Sequence, residues 1–281
     1  MKEEYPVTLL CACLGVPTSS YYAWAQRTKN PGLRALEDQQ LARSIEQIHT
    51  KSRATYGSPR VVQELRHLGQ RHGRNRVSRL MKEKGLCGRQ RRRYRVQTTD
   101  SNHNLPIAPN RLAEAPRPAA CNQIWATDIT YIETGEGWLF LAGVLDLYSR
   151  KLVGWAMSDR VDTKLVLNAL QMAHQQRGKP QGVLIHSDRG VQYASAEYRS
   201  ALEAIRAIPS MSRKGNCYDN AEMESFWSTL KIEHVYRTSF PNRSLARMSL
   251  FGFMETFYNR SRAHSSIGYM SPAEFESKSS N

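Results

Sequence analysis

The sequence predicts an α/β protein in which a mixed β-sheet flanked by helices follows a mostly α-helical, basic region. Three observations carry that expectation. From Gln123 onward, short β-rich apolar runs alternate with helical periodicity, the pattern of a layered sheet-and-helix architecture. Before that point the apolar residues recur at helical spacing. The charge is also lopsided: of a net +15 over 281 residues, the first 120 hold 22 Lys and Arg against 9 Asp and Glu, the remainder 18 against 16. A chain of this length divides most naturally into one sizeable core and a smaller module.

A basic N-terminal part favours a partner with dense negative charge, because each Lys or Arg set on a phosphate releases condensed counterions. Nucleic acid leads, a solvated basic face is the plain alternative, and an anionic membrane surface ranks below both. No run approaches the ~18–20 apolar residues of a membrane span, and the start of the chain lacks a secretory signal pattern, so a cytoplasmic, nucleoid-associated protein is expected. The cysteines, Cys11, Cys13, Cys87, Cys121 and Cys217, are odd in number and mostly scattered, which argues against a disulfide framework. Cys11 and Cys13 lack a second pair at zinc-ligand spacing, so buried thiols are expected instead.

Val7 to Trp24 reads as an apolar helical stretch, a Gly-Val-Pro break, and a second helix with Thr18 or Ser19 as its cap. That fits a small helix-turn-helix and equally two helices that merely pack together. A helix from Leu36 carries Leu41, Ile45 and Ile48. Pro59 then stands where another can start, continued by Val61, Val62, Leu65 and Leu68. After the Gly69–Gly73 turn, Val77, Leu80 and Met81 make an apolar stripe while Arg74, Arg76, Arg79 and Lys82 point elsewhere. Such a helix suits phosphate or groove contact, and also a solvated surface. The run Gly88–Arg95 (GRQRRRYR) and the aperiodic stretch to Ala120 read as a linker that is either unstructured or tracks a backbone. The divisions are therefore 1–35, a short helical segment; 36–95, a basic helical DNA-binding region; 96–120, a linker; and 121–281, the sheet-containing core.

Within the core, IWATDITYI, WLFLAGVLDLYS and LVGWAMS are three consecutive strands. A helix over about 163–177 leads through GKPQG to the short strand GVLIHSD. A second helix over about 195–205 precedes a strand near Ala207 and further helices. This β-β-β-α-β-α order is that of RNase H-like domains.

Asp128 falls at an interior position of the first strand, where a carboxylate is costly unless a metal or hydrogen-bond network receives it. Asp188 ends the LIHSD strand and projects from the carboxyl edge of the sheet, a common location for a site. Glu224 lies in GNCYDNAEMESFWSTLKIE, a helix that Asp219 or Asn220 can cap and whose core side is Met223, Phe226, Trp227 and Leu230. Lys231 follows Glu224 by two helical turns and shares its face, a cation for a phosphate beside a carboxylate for a metal.

Asp128, Asp188 and Glu224 resemble the DDE triad of retroviral integrases and related insertion-sequence transposases. WATDITYI, DLYSRKLVGWAMS, HSDRGVQY, GNCYDNAEMESFWSTLK and YNRSRAHSSIGYMSP are similar to the second-frame (OrfB) protein of the insertion-sequence-three family. The likeness extends upstream to IHTKSRATYGSPRVVQELRHLG, RVSRLMKEKGL and CLGVPTSSYYAW, and so covers nearly the whole chain. It implies an RNase H-like core that cleaves and transfers DNA strands, with Asp128, Asp188 and Glu224 as metal ligands. Two Mg²⁺ ions are implied, with Mn²⁺ as a substitute, since all-oxygen ligands suit a hard cation. It also implies DNA partners, element ends and target, a homo-oligomer on DNA, and the upstream-frame protein of the same element. No sustained heptad repeat appears in this chain.

Asp146 approaches the site or shapes its strand end, Asp219 is a helix cap, and Glu222 points to another side of its helix from Glu224. His186 shares a strand face with Asp188 and either orients a ligand or DNA or sits satisfied in the core. Tyr258, Asn259, Arg262 and His264 read as a helix end feeding a Pro272 turn, with Arg262 available for phosphate. Two rival functions share the triad: an RNase H-like nuclease that only hydrolyses, and a transposase-derived DNA-binding protein without catalysis.

Overall fold

The computed structural model describes residues 5–30, 32–89, 105–213 and 220–279. Internal contacts divide the chain into two units, Met1–Gly88 and Arg89–Asn281. The basic run beyond residue 89, the first part of the expected linker, Cys217 and Asp219 lie outside the described residues.

The first unit is helical: α1 (Val7–Cys13), α2 (Thr18–Lys29), α3 (Leu33–Lys51), α4 (Ser58–His67) and α5 (Arg74–Glu83). Helices α3 to α5 bury one stripe each, Leu41, Ile45 and Ile48 against Val61, Val62 and Leu65 and against Val77, Leu80 and Met81. Pro59 occupies the first turn of α4, where its missing N–H has no helical acceptor to lose. The expected cap of α2 is corrected. Pro17 holds the capping position with no side-chain bond, and Thr18 is the first helical residue, because Pro17 already fixes the entry angle. The expectation of buried thiols holds for Cys11 only. Cys11 faces the α2 residues Tyr21 and Trp24, whereas Cys13, two residues on, is exposed; Cys87 is exposed too, and Cys121 is half-buried with its Sγ donating to Glu276 Oε1.

The second unit contains β1 (Ile124–Thr134), β2 (Gly137–Asp146), β3 (Leu152–Ser158), α6 (Thr163–Gln176), β4 (Leu184–Ser187), α7 (Val191–Ala194), α8 (Ala196–Ala204), β5 (Ile208–Met211), α9 (Ala221–Glu233), α10 (Arg243–Phe251) and α11 (Pro272–Ser279). The sheet order is β3-β2-β1-β4-β5. β1, β2 and β3 pair antiparallel, whereas β4 joins β1 and β5 joins β4 in parallel, so the sheet is mixed as predicted. Period-two alternation sorts the strand residues onto two faces. Ile124, Ala126 and Ile132 of β1 meet Met223, Trp227 and Leu230 of α9 and Phe253 on one face. Trp125 meets Leu165, Ala169 and Tyr198 of α6 and α8 on the other.

Gly154 of β3 lets α6 lie directly on the strand, since a Cβ there would stand 2.3 Å from the Ala169 carbonyl oxygen. The later part of the stretch assigned to the linker is bound to this unit. The backbone N–H groups of Arg111 and Leu112 donate to Ser210 Oγ at 3.0 and 3.2 Å, and Arg111 Nη1 donates to the Pro209 carbonyl at 2.7 Å. Past α10 the chain continues as a π-helical turn over Gly252–Tyr258, a wider winding that proline-free sequence does not announce. Asn259 then pins β3, accepting from the Leu152 N–H and donating to its carbonyl, both at 3.0 Å.

Candidate active site

Asp128 stands in the middle of β1, on the face covered by α9. The Trp227 indole Nε1 donates to its Oδ2 at 2.9 Å, and the Ile129 backbone N–H is a second donor. The β1–β4 register pairs Ala126 with His186, so two further residues along each strand bring Asp188 beside Asp128. Asp188 Oδ1 in turn accepts from the Gly190 N–H at 2.9 Å, which fixes the carboxylate just past the strand end. Glu224 lies in the first turn of α9 and is exposed.

The electrostatics tie these groups together. The Asp128 carboxyl is pushed up to about 7 from 3.8, chiefly by burial and then by the charge of Asp188, with a smaller push from Glu224. The bonds from Ile129 and Trp227 act in the opposite direction without cancelling it. The Tyr193 hydroxyl, within 3.2 Å of Thr127 Oγ1, is also driven well above its ordinary value, by burial and then by Asp128. Asp128 and Asp188 thus form a close pair, with Glu224 at its rim. Among the described residues, no three His, Cys, Asp or Glu side chains converge tightly enough to hold an ion jointly. The donor set nevertheless suits a hard divalent cation: it is all oxygen, and the repulsion that raises Asp128 is what such a cation would relieve.

Lys231 sits above the Tyr131 ring, Nζ 4.7 Å from its centroid. Burial lowers its pKa while the Asp128 charge opposes that shift, so the ammonium lies within electrostatic reach of that carboxylate. The expectation for Arg262 is corrected. It is buried, and its Nε and Nη2 donate to the two carboxylate oxygens of Glu233 at 2.8 and 2.7 Å, so both prongs of its fork face an interior acid. In the first unit, Arg76 donates to Asp38 at 2.6 Å and to Glu37 at 3.2 Å. Arg79 bonds Glu83 at 2.7 Å and also pairs with Asp38. These two arginines fasten α5 to α3, while Arg74 and Lys82 are exposed on α5.

The remaining acids have structural work. Asp146 is fully buried and accepts from the N–H groups of Asn122, Tyr148 and Ser149, so it organises the turn after β2. Glu222 pairs with Arg150 at 3.3 Å, away from the aspartates. Asn220 precedes α9 without a side-chain cap bond. His186 is buried, its Nδ1 2.9 Å from Ser210 Oγ. Sequence reasoning had assigned Trp227 only to the core. Its spacing of three from Glu224, one helical turn, was the available signal that it would face the strand acid.

A mixed sheet in this order, with paired acids at the junction of its antiparallel and parallel halves, following a helical unit in the sequence, defines an integrase-type catalytic core with a helix-turn-helix-like region. Integrase core domain families match residues 118–217 and 206–272, and an HTH-like domain matches residues 35–94. The chain belongs to the IS3 family of insertion-sequence transposases. It is 39% identical over 277 residues to "Transposase InsF for insertion sequence IS3A" of Escherichia coli (strain K12), covering 99% of this chain and 96% of that protein. It is 46% identical over 269 residues to the "Insertion element IS600 uncharacterized 31 kDa protein" of Shigella sonnei, covering 96% and 98% of the two chains. Among solved structures, the HTLV-2 integrase catalytic core domain in complex with magnesium aligns at 15% identity with a TM-score of 0.43, covering 57% of this chain and 99% of that one. No helix among the described residues is long and apolar enough to cross a membrane.

Proposed function

We propose that this transposase cleaves and rejoins DNA strands at a divalent-metal site made by Asp128, Asp188 and Glu224. The observation that carries the reading is the Asp128–Asp188 pair, two carboxylates brought side by side by the β1–β4 register, where the charge of Asp188 acts on Asp128. Two Mg²⁺ ions, or Mn²⁺ in their place, would be held there and would supply activation of the attacking oxygen and stabilisation of the leaving one. Asp128 is oriented by Trp227 and Ile129, leaving its remaining lone pairs for coordination. Asp188 is oriented by the Gly190 N–H. Glu224, at the rim on α9, closes the set. Lys231, half-buried and within electrostatic reach of Asp128, is suited to hold a DNA phosphate near the pair. Water is the nucleophile for cleavage and a DNA 3′-hydroxyl the nucleophile for joining.

The helical region over residues 36–95 grips the element ends, with Arg74 and Lys82 on the open side of α5 as phosphate contacts. Because two ends and a target must be brought together, the working form is a homo-oligomer on DNA, with the upstream-frame protein of the same element as a further partner. The test is a strand-cleavage and strand-transfer assay on labelled element-end duplexes. The wild-type chain should give metal-dependent nicked and joined products, and Glu224→Gln should lose both while binding the duplex as before. Nicked products without joined ones would identify a hydrolytic nuclease, and binding without products a non-catalytic DNA-binding protein. Cleavage by Glu224→Gln at the wild-type rate would remove Glu224 from the site.

A further inference from the structure

Trp227 is buried among apolar side chains, yet its one polar atom meets a carboxylate. A buried indole N–H needs an acceptor, and a backbone carbonyl or hydroxyl would serve without adding a second desolvated charge to the interior. The acceptor here is instead the acid at the centre of the site. The Trp227 ring is accommodated at one particular position of the sheet. Gly143 of β2 is the register partner of Asp128, and a Cβ at Gly143 would stand 2.9 Å from Trp227 Cη2 and 3.2 Å from Leu152 Cδ1. The glycine directly across from the carboxylate is therefore the gap that admits the indole. Trp227 also lies one helical turn beyond Glu224 on α9, and Lys231 one turn further, so a single helix face carries a carboxylate, an indole donor and an ammonium toward β1.

We propose that Trp227 is a positioning residue for the metal site. Its N–H turns the Asp128 carboxylate and, in the same bond, ties the helix that carries Glu224 to the strand that carries Asp128. The proposal rests on the metal-ion reading above. Its physical content is that one donor sets both the orientation of the first ligand and the distance of the third. Groups that orient metal ligands in this way typically change affinity by about 10- to 100-fold when removed. Glu224 is exposed at the first turn of α9, so its position relative to the aspartates follows that of the helix, which Trp227 anchors to β1.

Two variants of the full chain separate orientation from packing. Trp227→Phe removes the donor and part of the ring, and replacement of Trp227 by benzothienylalanine swaps only the N–H for sulfur and keeps the shape. Mn²⁺ affinity is read by calorimetric titration without DNA, and cleavage is followed against Mn²⁺ concentration. Both variants should bind Mn²⁺ about 10-fold more weakly and need correspondingly more Mn²⁺ for half-maximal cleavage, while the rate at saturating Mn²⁺ stays within a few-fold of wild type. An ¹⁵N-indole spectrum should show the Trp227 resonance move when Asp128 is changed to Asn. A folded benzothienylalanine variant that binds Mn²⁺ as tightly as wild type overturns the proposal. A wild-type chain that binds Mn²⁺ no better than Asp188→Asn overturns the metal-ion reading itself, a different and separable result.

Discussion

Changing Asp128 to Asn should abolish catalysis and, in the absence of metal, make the protein more stable. With the carboxyl pushed up to about 7 from 3.8 by burial and by Asp188, the folded state disfavours the charged form. The folded value lies above the unfolded one. The stability contribution of this group is therefore complete below about pH 3.8 and is lost as pH rises through about 7. At 1.36 kcal/mol per pH unit, the gap corresponds to a ceiling of about 4 kcal/mol above neutrality. Because the side chain keeps some solvent contact, a discount to about 1–3 kcal/mol is appropriate. Asn removes the charge and keeps a carbonyl that can accept the Trp227 N–H. For a unit of this size each kcal/mol moves Tm by roughly 2–4 °C. Melting curves in chelator should place Asp128→Asn several degrees above wild type near pH 8, with less than half of that gain near pH 5. Millimolar Mg²⁺ should raise wild-type Tm and leave the variant unmoved, because a ligand stabilises only the state that binds it. A variant that melts at or below wild type near pH 8 in chelator would refute the argument.

Arg262→Met should take the guanidinium fork away from the buried Glu233 carboxylate and lower unfolding free energy by about 3–5 kcal/mol in a denaturant titration, with much of the loss restored by adding Glu233→Gln. The Glu276 carboxyl is raised by burial but held below its ordinary value by bonds from Arg177, Lys151 and Ser149. Its contribution is present above about pH 4.5 and is lost as pH falls through the depressed value. Wild-type and Glu276→Gln melting temperatures should accordingly differ at neutral pH, by about 1–3 kcal/mol equivalent, and converge on acidification below that point. Arg74→Ala and Lys82→Ala should each reduce the slope of log binding constant against log salt by about 1, measured by fluorescence anisotropy on element-end DNA, without changing sequence preference.

The parts of the fold that were legible in the sequence are those set by local patterning. Strands β1 to β3 are apolar runs bounded by turn residues, and α6 and β4 follow from helical spacing and the GKPQG break, so each was placed within a few residues. Asp128, Asp188 and Glu224 stood out as acids in motif strings at strand and helix positions. What was not legible depends on pairs far apart in the chain. The Trp227–Asp128 bond spans 99 residues, and no periodicity connects an indole on α9 to an acid on β1. Arg262 reads as available for phosphate at a helix end feeding the Pro272 turn, while the acid that pairs with it, Glu233, lies 29 residues upstream. Arg76 and Arg79 read as a free basic face until Asp38, on another helix, is seen between them. A charge on an isolated amphipathic helix carries no information about which neighbouring helix will neutralise it.

The convergence of the three acids is most directly tested by anomalous diffraction from crystals of the full chain with an element-end duplex and Mn²⁺. The account predicts Mn²⁺ density between Asp128 and Asp188 with a Glu224 carboxylate oxygen in its coordination shell. Mn²⁺ bound elsewhere, or bound to the two aspartates with Glu224 left turned to solvent, would contradict it.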